Sequence, residues 1–218
     1  MQLSAEIRWF WKDAAPAGFE SWFTDANRHP CPAGGGTPRI DKYLVDPSQI
    51  ELGIKQRDAT PGTAPRGCEV KGLVTVIWGA LPGGPLAGRV DVWTKWACTA
   101  LVLDETLLVP IEKTRRLRKF DTAGADPQEI PLGDSEQPTD PARRGPGLPA
   151  FGCHVELTRV KNGGGETWWT FGLEAFGDLQ TVQDDLCAVA RVLTARGLPA
   201  MPGGLLLSYP AWLRDHGR

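Results

Sequence analysis

The sequence lacks several features that would settle its class at once. It has no Cys-x-x-Cys spacing. Its five cysteines, Cys31, Cys68, Cys98, Cys153 and Cys187, are odd in number and scattered. They read as reduced, mostly buried thiols in a cytoplasm, not as a disulfide frame or a zinc site. No apolar run approaches the roughly 18 residues needed to cross a bilayer, the longest lying near Leu73 to Leu81. The start of the chain has no basic segment followed by an apolar stretch, so a secretory signal is not expected. Basic charge is not in excess either. The formal net charge of −2 argues against a nucleic-acid or membrane partner, leaving any anion site to local placement of charge. No repeat of fixed period is present. The expectation is a cytoplasmic protein with no membrane partner.

What is present suffices for one core. With 218 residues and a hydrophobic fraction of 41%, the chain reads as a single domain over 1–218, too short for two. The stretch from Glu51 to Trp78 shows the governing pattern. Period-2 alternation puts Lys55 and Arg57 on one face of a strand and Leu52 and Ile54 on the other. After a loop marked by Pro61, Gly62, Pro65 and Gly67, Glu69 and Lys71 share a face opposite Val70, Val74, Val76 and Trp78.

Other segments repeat the division into one charged and one apolar face. Glu6, Arg8 and Phe10 alternate with Ile7, Trp9 and Trp11. Phe19, Trp22, Phe23 and Ala26 recur at helical spacing, and a loop with His29, expected at the surface, precedes a strand over 39–45. Arg89, Asp91, Trp93 and Lys95 alternate with Val90, Val92 and Trp96. Between 106 and 120, Lys113 and Arg115 share parity with Val109 and Ile111, opposite Glu112, Thr114, Arg116 and Arg118. Taken alone, the run from Arg115 to Lys119 would suit an RNA backbone, although half of its charges must point the other way. Residues 121–150 show little periodicity and read as a long mobile loop, either a lid or plain disorder.

His154, Glu156 and Thr158 then face away from Val155, Leu157 and Arg159, and Asn162 to Gly165 turns the chain into a strand carrying Glu174. His154 reads as a structural histidine more readily than as a general base. A helix capped by Asp178 follows, with Leu179, Val182, Leu186, Val189 and Leu193 as its packing stripe, and a short helix starts at Tyr209-Pro210. The nine tryptophans read as core and wall packing.

About eight antiparallel strands with a polar and an apolar face can form an open sheet or a closed barrel. In a barrel with the polar faces inward, Lys55, Arg57, Lys71, Arg89, Lys113 and Arg115 converge where unpaired cations are costly. A multiply charged anion answers that cost, and phosphates suit it because Arg grips them bidentately. Acids left among the cations, Glu6, Glu69, Asp91, Glu156 and Glu174, could hold a hard divalent ion.

The order of Lys-Gln-Arg at 55–57, Glu-Val-Lys at 69–71, Glu-Lys-Thr-Arg-Arg at 112–116, and Glu156 and Glu174 before a helix resembles the CYTH domain, the triphosphate tunnel metalloenzyme superfamily. The resemblance runs over roughly residues 4–195. It implies an α+β fold: an eight-stranded antiparallel β-barrel, the triphosphate tunnel, with a few covering helices. It implies a triphosphatase, a metal-dependent phosphohydrolase using Mg²⁺ or Mn²⁺ on inorganic, organic or nucleoside triphosphate. The cradle would be Lys55, Arg57, Lys71, Arg89, Lys113 and Arg115, with Lys71, Arg115 and Glu156 catalytic and Glu6, Glu156 and Glu174 as metal ligands. The family's Glu-x-Glu-x-Lys signature stands here as Glu6-Ile-Arg8-Trp-Phe10, and Thr158 and Gly172 stand where further acids are expected. That departure keeps a second reading open, a non-catalytic tunnel that binds polyphosphate or a nucleotide. A class IV adenylate cyclase is a third, and a sheet with merely solvated charges a fourth. A homodimer is left open.

Overall fold

The computed structural model describes residues 2–57, 67–79, 81, 86–101, 103–145 and 149–218. Eight strands form the wall: β1 (Gln2–Lys12), β2 (Gly34–Leu44), β3 (Leu52–Arg57), β4 (Cys68–Trp78), β5 (Arg89–Cys98), β6 (Leu108–Asp121), β8 (Gly152–Lys161) and β9 (Thr167–Gly177). Their order is β1-β5-β4-β3-β2-β6-β8-β9, every pair antiparallel. β9 pairs back onto β1 from Leu3 opposite Gly177 to Lys12 opposite Trp168, so the barrel is closed. Closure leaves none of the eight strands as an open edge. The short β7 (Gln128–Ile130) adds to β6, and β10 (Leu205–Leu206) adds to β1 beyond the point where β5 departs.

Alternation decides which side chains leave water. Ile7, Trp9 and Trp11 of β1, Val155 and Leu157 of β8, and Phe171, Leu173 and Ala175 of β9 point outward. They pack beneath α1 (Phe19–Thr24) and α2 (Val182–Ala195), which contribute Phe19, Trp22, Phe23, Val182, Leu186, Val189 and Leu193 to the same core. Each such side chain is worth about 1.5–3 kcal/mol on burial. The helix expected from Asp178 begins later. The Asp178 carboxylate and carbonyl accept from Gln180, Thr181 and Val182 in a turn, α2 starts at Val182, and Leu179 is exposed.

The third helix, α3 (Tyr209–His216), closes one end of the barrel. Pro210 lies in its first turn, and the Ser208 hydroxyl accepts from the Ala211 N–H at 3.2 Å, capping it. Trp212, fully buried, stacks on Phe10 with ring centroids 5.1 Å apart. Tyr209 and Leu213 pack against Tyr43, Ile111 and Val160. The expected turn at 162–165 ties the helix down: the Asn162 amide donates to the His216 carbonyl at 2.6 Å, and the Gly163 N–H donates to the Gly217 carbonyl.

Three further sequence expectations change. A β-bulge between Leu73 and Thr75 inserts Val74 into β4, and one extra residue reverses the faces beyond it. Val76 is therefore opposite Asp91 and Trp78 opposite Arg89, on the side of Lys71 and not on that of Val70. Within 121–150 lie β7, a Leu132–Pro138 bridge and a short 3₁₀ turn over Pro141–Arg143, because Ile130 and Leu132 bury themselves against Leu117. His29 is buried, not superficial, with its ring 4.9 Å from that of Trp22 and Nδ1 3.1 Å from Arg196. Burial, helped by Arg118 and Arg196, lowers its pKa to about 4. Pro61, Gly62 and Pro65 lie outside the described residues. No described helix is long and apolar enough to cross a membrane.

Candidate functional site

The inward faces enclose a cavity of about 900 Å³. Eight basic side chains line it: Arg8, Arg39, Lys55, Lys71, Lys95, Lys113, Arg115 and Lys119. Six acidic ones join them: Glu6, Asp41, Glu69, Glu136, Glu156 and Glu174. Strand register explains the convergence, since directly opposed residues of an antiparallel pair share a face. Glu6 is opposite Asp91 on one side and Glu174 on the other, and Lys71 is opposite Lys95.

Arg8 occupies the centre of the β1 side. Its Nε donates to Glu6 at 2.8 Å and its Nη2 to Glu156 at 3.0 Å. It fits because Gly172 is its partner across the seam. A Cβ at 172 would lie 2.7 Å from the guanidinium carbon. Lys71 donates to the other oxygen of Glu6 at 2.7 Å while standing 4.5 Å over the Trp93 ring. Lys95 is ion-paired with Glu174, and Arg115 bridges Glu156 and Glu136. Burial alone would raise the pKa of Glu6, yet Lys71, Arg8 and Lys95 hold it well below the usual range. Glu156 is lowered in the same way against burial by Arg115 and Arg8, and Glu174 by Lys95. These carboxylates remain anions.

The floor is aromatic. Lys113 Nζ lies 4.0 Å from the centre of the Tyr209 ring and 4.7 Å from that of Tyr43, 3.1 Å from the Asp41 carboxylate and in a hydrogen bond to the Tyr43 hydroxyl. Burial lowers the Lys113 pKa to about 7, with Lys55 and Arg39 adding to the depression and Asp41 opposing it. The Tyr209 hydroxyl has no hydrogen-bond partner among the described residues, and burial keeps it protonated by raising its pKa. At the opposite side His154, tilted against Phe176, is held neutral by burial, its pKa lowered to about 4.

Of the residues singled out in the sequence, Lys55, Lys71, Lys113, Arg115, Glu6, Glu156 and Glu174 meet in this cavity. Arg89 does not line it: it pairs with Asp91 at 2.9 Å. Arg57 ends β3, and its side chain lies outside the described residues. Sequence reading missed Arg39, Asp41 and Lys119 as lining groups, although the alternation of β2 and β6 carried them. It saw Lys95 only as one member of a charged face. Nothing in the pattern pointed to Glu136 or Tyr209. The basic run splits, with Arg115 and Lys119 in the cavity and Arg118 buried outside, bonded to the Phe23 and Cys31 carbonyls and to Glu129.

A divalent ion at Glu6, Glu156 and Glu174 would have to share these carboxylates with Arg8, Lys71, Lys95 and Arg115, and the Arg8 guanidinium itself bridges two of them. Among the described residues no three His, Cys, Asp or Glu side chains are grouped to hold a metal ion. The donor set in this arrangement does not fit a divalent cation. The closed eight-stranded barrel is compatible with the CYTH tunnel fold. No family model matches the chain, and no curated protein matches it significantly.

Proposed function

We propose that the barrel cavity binds a small polyphosphate anion of the triphosphate class. One observation carries the reading. Eight basic side chains against six acidic ones face one cavity in a chain whose overall charge is −2, so basic groups outnumber acids at the lining though not in the chain as a whole. The low dielectric of such a space strengthens each contact to an anion, and Arg39 and Arg115 supply the planar forks that suit phosphoryl oxygens. The Tyr209 hydroxyl, without a partner among the described residues, adds a neutral donor from the floor. The volume lies within the usual range for small-ligand sites. This is also the ligand class that the resemblance to the CYTH domain implies. Binding without a metal is the reading the side chains support best, because Arg8 already compensates Glu6 and Glu156.

Metal-dependent hydrolysis of the same ligand is the second reading. It requires Arg8, Lys71 and Lys95 to release Glu6 and Glu174, which stand directly opposite each other across the seam between β1 and β9. Calorimetry and thermal unfolding with inorganic triphosphate, in EDTA and then with Mg²⁺ or Mn²⁺, test both. At a hundredfold excess over the dissociation constant the ligand should add about 2.7 kcal/mol of stability in EDTA. Arg115→Ala should weaken binding at least tenfold. Absence of any binding under every condition overturns the proposal. Phosphate release with either metal, lost in Arg115→Ala, would establish the second reading over the first.

A further inference from the structure

The cavity already contains an anion of the protein's own. Glu136 belongs to none of the eight wall strands; it projects from the turn that follows β7. Arg115 Nε donates to one of its carboxylate oxygens at 2.8 Å and Nη2 to the other, a two-pronged grip of the kind an arginine gives a phosphate. Arg39 Nη1 lies 3.7 Å away, and Lys119 donates to the Glu136 carbonyl at 3.0 Å.

The turn is built to deliver that carboxylate. The Glu136 N–H donates to the Gly133 carbonyl, the Gly133 N–H donates to the Gln137 carbonyl, and Leu132 and Pro138 bridge its base. Glu136 itself sits at φ +60, a left-handed conformation that residues with a Cβ adopt rarely. Across from it, Gly35 leaves the necessary room: a Cβ there would lie 2.9 Å from the Glu136 carboxylate and 2.4 Å from the Arg115 carbonyl. A strained backbone and a two-pronged ion pair thus meet at one residue.

We infer that Glu136 is a resident competitor for a phosphoryl subsite made by Arg39, Arg115 and Lys119, and that it sets which anions the cavity accepts. The inference rests on the anion-binding reading above. A ligand that reaches only this subsite exchanges one anion for another and gains little. A ligand that displaces Glu136 and also reaches Lys71, Lys95 or Lys113 gains those contacts as well. Without the Glu136 carboxylate the lining would carry eight basic side chains against five acidic ones, which strengthens the field on whatever replaces it. The expected preference is for a chain of phosphoryl groups over a single phosphate.

Calorimetry in EDTA with inorganic triphosphate and with inorganic phosphate, on wild type, Glu136→Ala and Glu136→Gln, tests the inference. Removing the competing charge should tighten triphosphate binding about tenfold or more in both variants. It should also bring inorganic phosphate, which gains little against the resident carboxylate, into measurable binding. Unfolding of each variant without ligand identifies any loss of fold, and Glu136→Gln keeps the shape of the side chain if Glu136→Ala is unstable. Wild-type binding with unchanged or weaker binding in the folded variants overturns the inference alone. No triphosphate binding by wild type or by the variants overturns the anion-binding reading, and the inference with it.

Discussion

Lys113 permits a direct test of whether the cavity receives an anion, because the proton on its amine is weakly held before the ligand arrives. Its neighbours are Arg39, Asp41 and Tyr43 from β2, Lys55 from β3 and Tyr209 from α3. Burial brings its pKa to about 7, and Asp41 only partly opposes the effect. At pH 8 the free protein therefore carries about 0.1 proton at this amine, and a polyanion that restores an ordinary lysine pKa draws in about 0.9 more. Affinity should then fall with a slope approaching one decade per pH unit from about pH 7.5 upward. Calorimetry in two buffers of different ionisation enthalpy counts the protons. The titration of the ligand itself is common to every variant, so comparison with Lys113→Arg, charged throughout, or Lys113→Met, never charged, isolates the lysine. Equal proton uptake by wild type and both variants would refute the reasoning. The sign without ligand follows from the same depression. The buried ammonium destabilises the fold fully below pH 7, and the penalty is relieved as pH rises from about 7 toward the unfolded value. The gain in Tm from ligand should therefore shrink with rising pH.

Two further predictions concern the frame around the site. In Gly172→Ala the new Cβ would meet the Arg8 guanidinium at 2.7 Å and force it from Glu6 or Glu156. Breaking such a buried pair should cost on the order of 3 kcal/mol, read as a lower urea midpoint, and an unchanged midpoint would remove Gly172 as the space for Arg8. Trp212→Ala should cost about 3–5 kcal/mol by emptying the stack on Phe10. It should also weaken triphosphate binding, because Tyr209 and Leu213 of the same helix line the cavity; calorimetry showing full affinity in the folded variant would separate the floor from the site.

The barrel was readable because a period-2 pattern is local: one residue's parity predicts the next. Glu6 with Arg8, Lys113 with Arg115, and His154 with Glu156 all face inward as alternation requires. The same logic failed at β4 for a physical reason. The bulge at Val74 needs no signature residue, and a single insertion exchanges the faces of everything after it. Glu136 was hidden differently. It stands in an aperiodic segment, and its place depends on a turn geometry and on a gap opposite Gly35 that no spacing rule encodes. The pairing of Arg89 with Asp91 was equally out of reach, since alternation assigns a face but not a depth along the barrel. His29 looked superficial beside Pro30 because loop composition says nothing of Trp22 lying over it.

The seam between β1 and β9 joins residues far apart in the sequence, such as Ile7 with Leu173. For such distant pairings the entropy of closing the intervening loop must be met before any contact rewards it. Glu6 and Arg8 belong to one side of that seam, and Glu174 and Gly172 to the other. A half-made barrel therefore presents its cations and acids to water on a curved, open sheet, where ion pairs are weak and an anion finds no enclosure. The binding chamber is thus a property of the closed seam, and a ligand that needs it holds the finished barrel shut.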